Sequence, residues 1–138
     1  MQELKLSNSH LDLLMRYVRS GMPFEVCGFL GGVDGEVTNV LPVPNVAIHS
    51  AVEFLMEPQT QWNTMCMLAE AGRDIIAIYH SHPPDGRAGL SPVDIANAHY
   101  PGILNLLIVP KMSGELASLR AFSIDGVQVS EVSIVVSS

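Results

Sequence analysis

The chain has few cysteines and no long hydrophobic run, and each shortage excludes a class of protein. Its 138 residues include only Cys27 and Cys66, too few for a disulfide-stapled fold, and we expect both to be buried thiols. The longest apolar run, 103–110, is interrupted by Asn105 and is far shorter than the ~20 residues that a membrane helix needs. The first residues also lack the basic and then apolar pattern of a secretion signal. We therefore expect a cytoplasmic protein without a membrane partner.

Positive charge is scarce as well. Seven Lys and Arg residues face fourteen Asp and Glu residues, which gives a net charge of −7, and no window of the sequence clusters basic residues. Because binding to a phosphate backbone needs a basic patch, we expect no nucleic-acid partner. The hydrophobic fraction of 48% indicates a large core, and the length predicts one domain over residues 1–138.

Hydrophobic periodicity predicts a mixed α/β domain, with a central mixed β-sheet flanked by helices. A capping box at Ser9–Asp12 is expected to open the first helix, and Asp34-Gly35 to turn a hairpin. Segment 45–57 is ambiguous: it reads as a loop with a short strand near 52–56. The further elements are strands over 27–33, 36–43, 75–79, 104–109, 116–124 and 127–136, a helix from Pro58 that ends before Gly72, and a short helix from Ser91 to about Ala98.

The residues that suggest chemistry lie in segment 78–94. His80 and His82 lie one residue apart at the end of a buried strand, and in extended chain such residues point to the same side. Two imidazoles there are a suitable pair of nitrogen ligands for zinc, and Asp94 offers an oxygen ligand. Three protein ligands leave a fourth position for water, which is typical of a catalytic zinc site.

Each of these features also has an ordinary structural explanation. An H-x-H sequence after a strand is often only solvated or hydrogen-bonded. Ser91 and Asp94, three residues apart around a proline, are what a well-capped helix start requires. Glu25 alone reads as an exposed carboxylate before a strand. The capping and metal interpretations can both hold, because a capped helix start is a rigid place from which to present a ligand.

The combination of these motifs is more specific than any of them. Glu25 in PFEVCGFLGG, then HSHP, then S-x-x-D resembles the JAMM (MPN-plus) metalloprotease family, small prokaryotic type. The resemblance extends through LPVPN, which ends at Asn45, and FLMEPQTQW, and so covers most of the chain. It implies a single JAMM/MPN-like domain with a cytidine-deaminase-like layout.

The resemblance also implies a role for each matching residue. His80, His82 and Asp94 would ligate one zinc ion per chain. Glu25 would take a proton from the attacking water and return it to the leaving amine, and Ser91 would donate a hydrogen bond to the developing oxyanion. The implied reaction is hydrolysis of an amide or isopeptide bond after the C-terminal Gly-Gly of a ubiquitin-like or sulfur-carrier protein.

The sequence departs from the family pattern in one place and leaves rival interpretations open. Eleven residues separate His82 from Asp94, one more than is usual, and Gly86 and Gly89 are expected to absorb the extra residue. A metal-free MPN interaction scaffold and a zinc peptidase for small peptides remain alternatives. A zinc deaminase is disfavoured, since it would need H-x-E and P-C-x-x-C.

The remaining histidines carry weaker expectations. We expect His10 to be exposed on the first helix and His99 to be structural, and His49, in the loop after Asn45, is only a minor candidate for the site. The oligomeric state is not predicted.

Overall fold

The computed structural model describes residues 2–98 and 100–138, so the expectation for His99 lies outside the described residues. Seven strands and three helices form within this part of the chain. In order they are β1 (Glu3–Ser7), α1 (Asn8–Gly21), β2 (Cys27–Val33), β3 (Glu36–Val43), α2 (Pro58–Glu70), β4 (Asp74–Ser81), α3 (Pro92–Ala96), β5 (Leu104–Pro110), β6 (Leu116–Asp125) and β7 (Gln128–Ser137). None of these described helices has the length and apolar character needed to cross a membrane.

The strands form one mixed sheet, as predicted, and the sheet closes on itself. The strand order is β1-β3-β2-β4-β5-β6-β7, and β7 returns to pair with β1. The pairs β1–β7, β1–β3 and β4–β5 are parallel, and the other pairs are antiparallel. The cytidine-deaminase-like layout stays a prediction.

Two parts of the predicted strand assignment are wrong. Strand β1 was not predicted, although its residues alternate, with Leu4 and Leu6 buried on either side of the exposed Lys5. The short strand expected at 52–56 is absent, and this segment contributes only an isolated bridge between Asn45 and Met56. Five residues are too few for periodicity to stand out, and the bridge depends on a contact that local sequence does not reveal.

Strand β4 is buried on both faces, as its apolar sequence predicts. On one face, Ala77 and Tyr79 belong to the main hydrophobic cluster, which α1 covers. On the other face, Ile78 packs in a second cluster with Phe29 and Met56. Because both faces are packed and both edges are paired, with β2 and with β5, the end of β4 is held firmly from all sides.

Helix α1 begins two residues earlier than the sequence suggested. Its N-cap is Ser7, whose Oγ accepts a hydrogen bond from the backbone N of His10 at 3.1 Å and lies 2.9 Å from His10 Nδ1. The capping box predicted at Ser9–Asp12 is therefore wrong. The physical reason is that β1 runs directly into α1, so the residue that supplies the capping hydroxyl, Ser7, is also the last residue of the strand.

We expect the Ser7→Ala variant to lose about 1 kcal/mol of unfolding free energy, because the N-cap hydrogen bond is lost. Ser9→Ala is the matched control: Ser9 is exposed inside the first turn, and such substitutions usually change stability by less than about 0.5 kcal/mol. Urea denaturation of both variants measures the difference. Equal losses in the two variants would contradict the position of the cap.

Candidate metal centre

The two histidines of the H-x-H sequence lie at the end of β4, in the middle of the sheet. His80 pairs with Cys27 of β2 and with Leu107 of β5, and the backbone N of His82 continues the pairing by donating to the Ile108 carbonyl at 3.0 Å. Ser81, between them, points away and accepts a hydrogen bond from the Val26 backbone. The two rings lie on the same side, with centroids 5.2 Å apart, as the alternation predicts.

Asp94 is presented by the first turn of α3, where it also completes a capping box. Ser91 Oγ accepts a hydrogen bond from the Asp94 backbone N at 3.0 Å, and Asp94 Oδ2 accepts one from the Ser91 backbone N at 2.8 Å. The same Oδ2 lies 3.0 Å from His82 Nε2 and 3.2 Å from His80 Nε2. The capping role and the convergence with the histidines therefore coexist in one carboxylate.

Glu25 is buried, only 3% exposed, so its interpretation as an exposed carboxylate is wrong. Its backbone is fixed on both sides by the segment after β3: its N donates to the Ser50 carbonyl at 2.8 Å, and its carbonyl accepts from Asn45 Nδ2 at 2.9 Å. The Asn45 amide also bonds Glu53, Ala47 and Leu55. The role of Asn45 in fixing the backbone of Glu25 was not predicted, although the LPVPN motif ends at this residue.

The structure brings Glu25, His80, His82 and Asp94 together: one ligand atom of each lies within 4.8 Å of all the others. Glu25 Oε1 and both ring nitrogens of His80 are buried without a hydrogen-bond partner. The 3.2 Å approach of His80 to Asp94 is close enough for an ion pair but is not aligned as a hydrogen bond. Buried polar atoms normally have partners, so atoms of this kind converging on one point fit a bound cation.

The tautomer of His82 supports the same conclusion. Its Nδ1 lies 2.7 Å from the carbonyl oxygen of Arg87, and since a carbonyl only accepts, Nδ1 carries the proton. Burial lowers the pKa of His82, but the hydrogen bonds to Asp94 and Arg87 outweigh it and raise the pKa, so Nε2 can also carry a proton. A cation displaces that proton, and Nε2 of the neutral ring then directs its lone pair towards the cluster. A ligating histidine is typically held in this way by a partner of its other nitrogen. Two imidazoles and a carboxylate form a donor set that suits zinc.

The pKa values of the clustered side chains distinguish groups that can ligate a cation from a group that can exchange a proton. Burial acts to raise the pKa of Asp94, but the two imidazoles and the Ser91 N–H hold it far below the usual range. Burial lowers the pKa of His80. Burial raises the pKa of Glu25 to about 7, with Asp94 and Glu53 adding to the rise against the influence of His82. Asp94 and His80 therefore keep lone pairs available, whereas Glu25 can hold or release a proton near neutral pH.

A cavity of about 220 Å³ opens beside the cluster. His80 and Asp94 form part of its wall, and the ring of Phe54 stacks on the His80 imidazole at 4.6 Å between centroids. Gln61 Nε2 and the Tyr100 hydroxyl, 3.0 Å apart, form a hydrogen bond between two of its walls. The remaining lining residues are Leu55, Met56, Ile78, Asn97, Ala98, Ile103 and Asn105. The cavity is the natural place for a group that reacts at the cluster.

The other candidate residues lie outside the cluster. His49 is exposed, and His10 is half-buried, because its ring contacts the capping Ser7. Cys27 is buried as predicted, its Sγ donates to the Val43 carbonyl at 3.4 Å, and burial raises the pKa of the thiol to about 12. Cys66 is a half-buried free thiol, so its predicted burial is only partial.

Residues 7–125 match the family of prokaryotic homologs of the JAB domain, Prok-JAB. The chain belongs to this family. The small prokaryotic JAMM/MPN resemblance drawn from the motifs is therefore confirmed, and the JAB/MPN fold is a mixed α/β fold with one sheet and a few helices.

Two similar curated proteins are much longer than the segments that this Prok-JAB chain matches. It is 35% identical over 101 residues to a 26S proteasome non-ATPase regulatory subunit 14 of Dictyostelium discoideum, which covers 68% of this chain and 32% of that protein. It is 38% identical over 65 residues to a probable TtuB-protein conjugate cleaving protease of Thermus thermophilus, which covers 47% of this chain and 43% of that protein. The chain thus matches less than half the length of either curated relative.

A solved structure from Desulfitobacterium hafniense matches the Prok-JAB chain over almost its whole length. The two share 25% identity and a TM-score of 0.81, and the match covers 96% of this chain and 92% of the other. The overall architecture described above is therefore shared with a solved protein of nearly the same size.

We expect the purified protein to carry about one zinc ion per chain, and His82→Ala to lose it, because the two remaining ligands, His80 and Asp94, are too few to hold the ion. His49→Ala is the control, since His49 is an exposed histidine outside the cluster. Elemental analysis after dialysis measures the zinc content. Full zinc content in the His82→Ala variant would remove this residue from the ligand set.

Proposed function

We propose that the chain is a zinc-dependent hydrolase that cleaves amide or isopeptide bonds after the C-terminal Gly-Gly of a ubiquitin-like or sulfur-carrier protein. The observation that carries the proposal is the buried cluster of Glu25, His80, His82 and Asp94, two members of which, His80 and Asp94, line a cavity. Family membership and the named activity of the Thermus relative support it. In this proposal residues 1–138 act as one domain in the cytoplasm, with one zinc ion per chain.

The proposed zinc ligands are His80, His82 and Asp94. When bound, zinc supplies Lewis acidity, which polarises the scissile carbonyl and makes water a better nucleophile at neutral pH. The three side chains come from the end of β4 and the start of α3, so no movement of either element is needed to bring them together. Burial of the histidines excludes competing bulk water from their ring nitrogens.

Glu25 is proposed to move the proton. A carboxyl group with a pKa of about 7 can accept a proton from the attacking water and return it to the leaving amine at neutral pH. The hydrogen bonds from its backbone to Ser50 and Asn45 fix the position from which it does so. Cys27, on the neighbouring strand, is excluded as a nucleophile, because its buried thiol stays protonated.

Ser91 is proposed to stabilise the oxyanion. Its Oγ already accepts a hydrogen bond from the Asp94 backbone, which leaves the hydroxyl proton free to donate. A donor aimed at charge that appears only in the transition state lowers the barrier without strengthening substrate binding. The cap therefore has a second use, as a fixed donor close to the carboxylate of Asp94.

The proposed substrate is the C-terminal tail of a ubiquitin-fold or sulfur-carrier protein. The relative from Thermus thermophilus is named for cleaving conjugates of the TtuB protein, and the small cavity beside the cluster suits a narrow segment of extended chain. A metal-free interaction scaffold would gain nothing from burying four polar side chains around one point, so the cluster disfavours that alternative.

The proposal is tested by incubating the zinc-loaded protein with sulfur-carrier proteins extended beyond Gly-Gly and detecting cleavage by mass spectrometry. We expect cleavage directly after Gly-Gly, and a rate lower by ~10²–10⁴ in Glu25→Gln with zinc retained, because the proton carrier is lost. Glu70→Gln, which changes an exposed carboxylate at the end of α2, is the matched control. Cleavage of free peptides with the same final residues, but not of the folded carrier proteins, would favour the small-peptide alternative. Wild-type turnover by Glu25→Gln would reassign the proton carrier.

We expect Ser91→Ala to reduce kcat by ~10²–10³ with little change in KM, because the lost donor acts only on the transition state. The variant also loses the cap of α3, at a cost of about 1 kcal/mol in unfolding free energy. Steady-state kinetics far below the unfolding temperature separate the two effects. A variant with a lower melting temperature but unchanged kcat would assign Ser91 to capping alone.

A further inference from the structure

The loop that joins His82 to α3 supplies the hydrogen bond that orients His82. It begins with a tight turn, in which the Gly86 N donates to the Pro83 carbonyl at 2.9 Å and Asp85 has a φ of +54°. The strain therefore lies at Asp85, whereas the sequence pointed to Gly86 and Gly89 as the adaptable positions. Beyond this turn, the carbonyl of Arg87 accepts from His82 Nδ1.

The backbone that carries this carbonyl is on the surface. Residues 85–88 are all exposed, so packing of their own side chains does not hold them. The first part of the loop is anchored where the Asp85 N donates to the Pro110 carbonyl at 2.7 Å. The second anchor is Arg120 of β6, whose Nη1 donates to the carbonyl of Ala88 at 3.0 Å. Ala88 is the residue directly after Arg87.

All three nitrogens of the Arg120 guanidinium are hydrogen-bonded. Its Nε and Nη2 make two parallel hydrogen bonds to the Glu131 carboxylate, at 3.0 and 2.7 Å. Glu131 lies on β7 beside Phe122 of β6, and the guanidinium carbon lies 5.0 Å from the centroid of the Phe122 ring. A guanidinium held by a two-point ion pair and an aromatic ring keeps its remaining N–H group in a fixed direction. That group is the one that reaches the loop.

We propose that Arg120 is a positioning residue of the metal centre. By fixing the Ala88 carbonyl, it fixes the neighbouring Arg87 carbonyl, and this keeps the proton of His82 on Nδ1 and its Nε2 directed at the cluster. The inference rests on the proposed metal site. Partners of a ligand's second nitrogen commonly change metal affinity by about 10- to 100-fold, and here the partner is a loop carbonyl held by the sheet through Arg120.

The closing experiment measures the zinc dissociation constant by competition with a chromophoric chelator. We expect Arg120→Gln to raise this constant by about 10- to 100-fold, and Glu131→Gln to raise it less, because Arg120 can still reach Ala88. Arg19→Gln is the matched control: Arg19 also donates to a loop carbonyl, that of Gly114, whereas His82 Nδ1 is hydrogen-bonded to the carbonyl of Arg87. A constant within about two-fold of wild type in Arg120→Gln would overturn the inference.

A second measurement uses the metal-free protein. Nitrogen-15 NMR of the imidazole rings is expected to show a protected proton on His82 Nδ1 in wild type and in Arg19→Gln, and its loss in Arg120→Gln. An arginine that only stabilised the fold would lower the unfolding midpoint without changing this signal. Wild-type protein that binds no zinc would overturn the metal function but leave the NMR comparison to decide the role of Arg120. Zinc binding that is unaffected in Arg120→Gln would overturn the positioning role alone.

Discussion

The fold depends on how it compensates the burial of four polar side chains at one point. Glu25, His80, His82 and Asp94 lie with ligand atoms within 4.8 Å of one another, and burying such groups is unfavourable unless each finds partners. The structure provides partners on the outer side of two of them: the capping box behind Asp94 and a loop carbonyl behind His82. Glu25 is fixed only through its backbone, and its Oε1 has no hydrogen-bond partner. His80 has none, although it is the most deeply buried of the four. The buried polar atoms of the cluster that lack a hydrogen-bond partner therefore lie where the four side chains face one another.

Much of this architecture could be predicted from the sequence, because the relevant signals are local. The Asp34-Gly35 hairpin, the strand that carries His80, and α2 opening at Pro58 all form where turn residues and apolar periodicity place them. The same-side arrangement of His80 and His82 follows from strand alternation alone. Capping chemistry placed Asp94 at a helix start. These features need no information from distant parts of the chain.

The features that sequence did not reveal all depend on distant partners. Strand β1 is stable only because it completes the sheet between β3 and β7, and its five residues carry too little pattern alone. Burial of Glu25 depends on Asn45, twenty positions away, whose amide bonds four backbone groups. The convergence of Glu25 with the histidines was suggested by family resemblance, since no spacing rule connects a residue before β2 to the end of β4.

The short helix α3 illustrates how the accuracy of a polar site can originate in apolar packing. A helix of five residues has no stability of its own in water, so its cap alone does not keep it formed. Leu90, just before it, is buried against Leu107, Val109, Phe122 and Ile124, and Ile95 packs on the same cluster. These hydrophobic contacts with β5 and β6 hold the residues on both sides of Asp94 in the single turn of α3. The fit among these apolar side chains therefore determines how accurately Asp94 Oδ2 is placed beside the Nε2 atoms of His80 and His82.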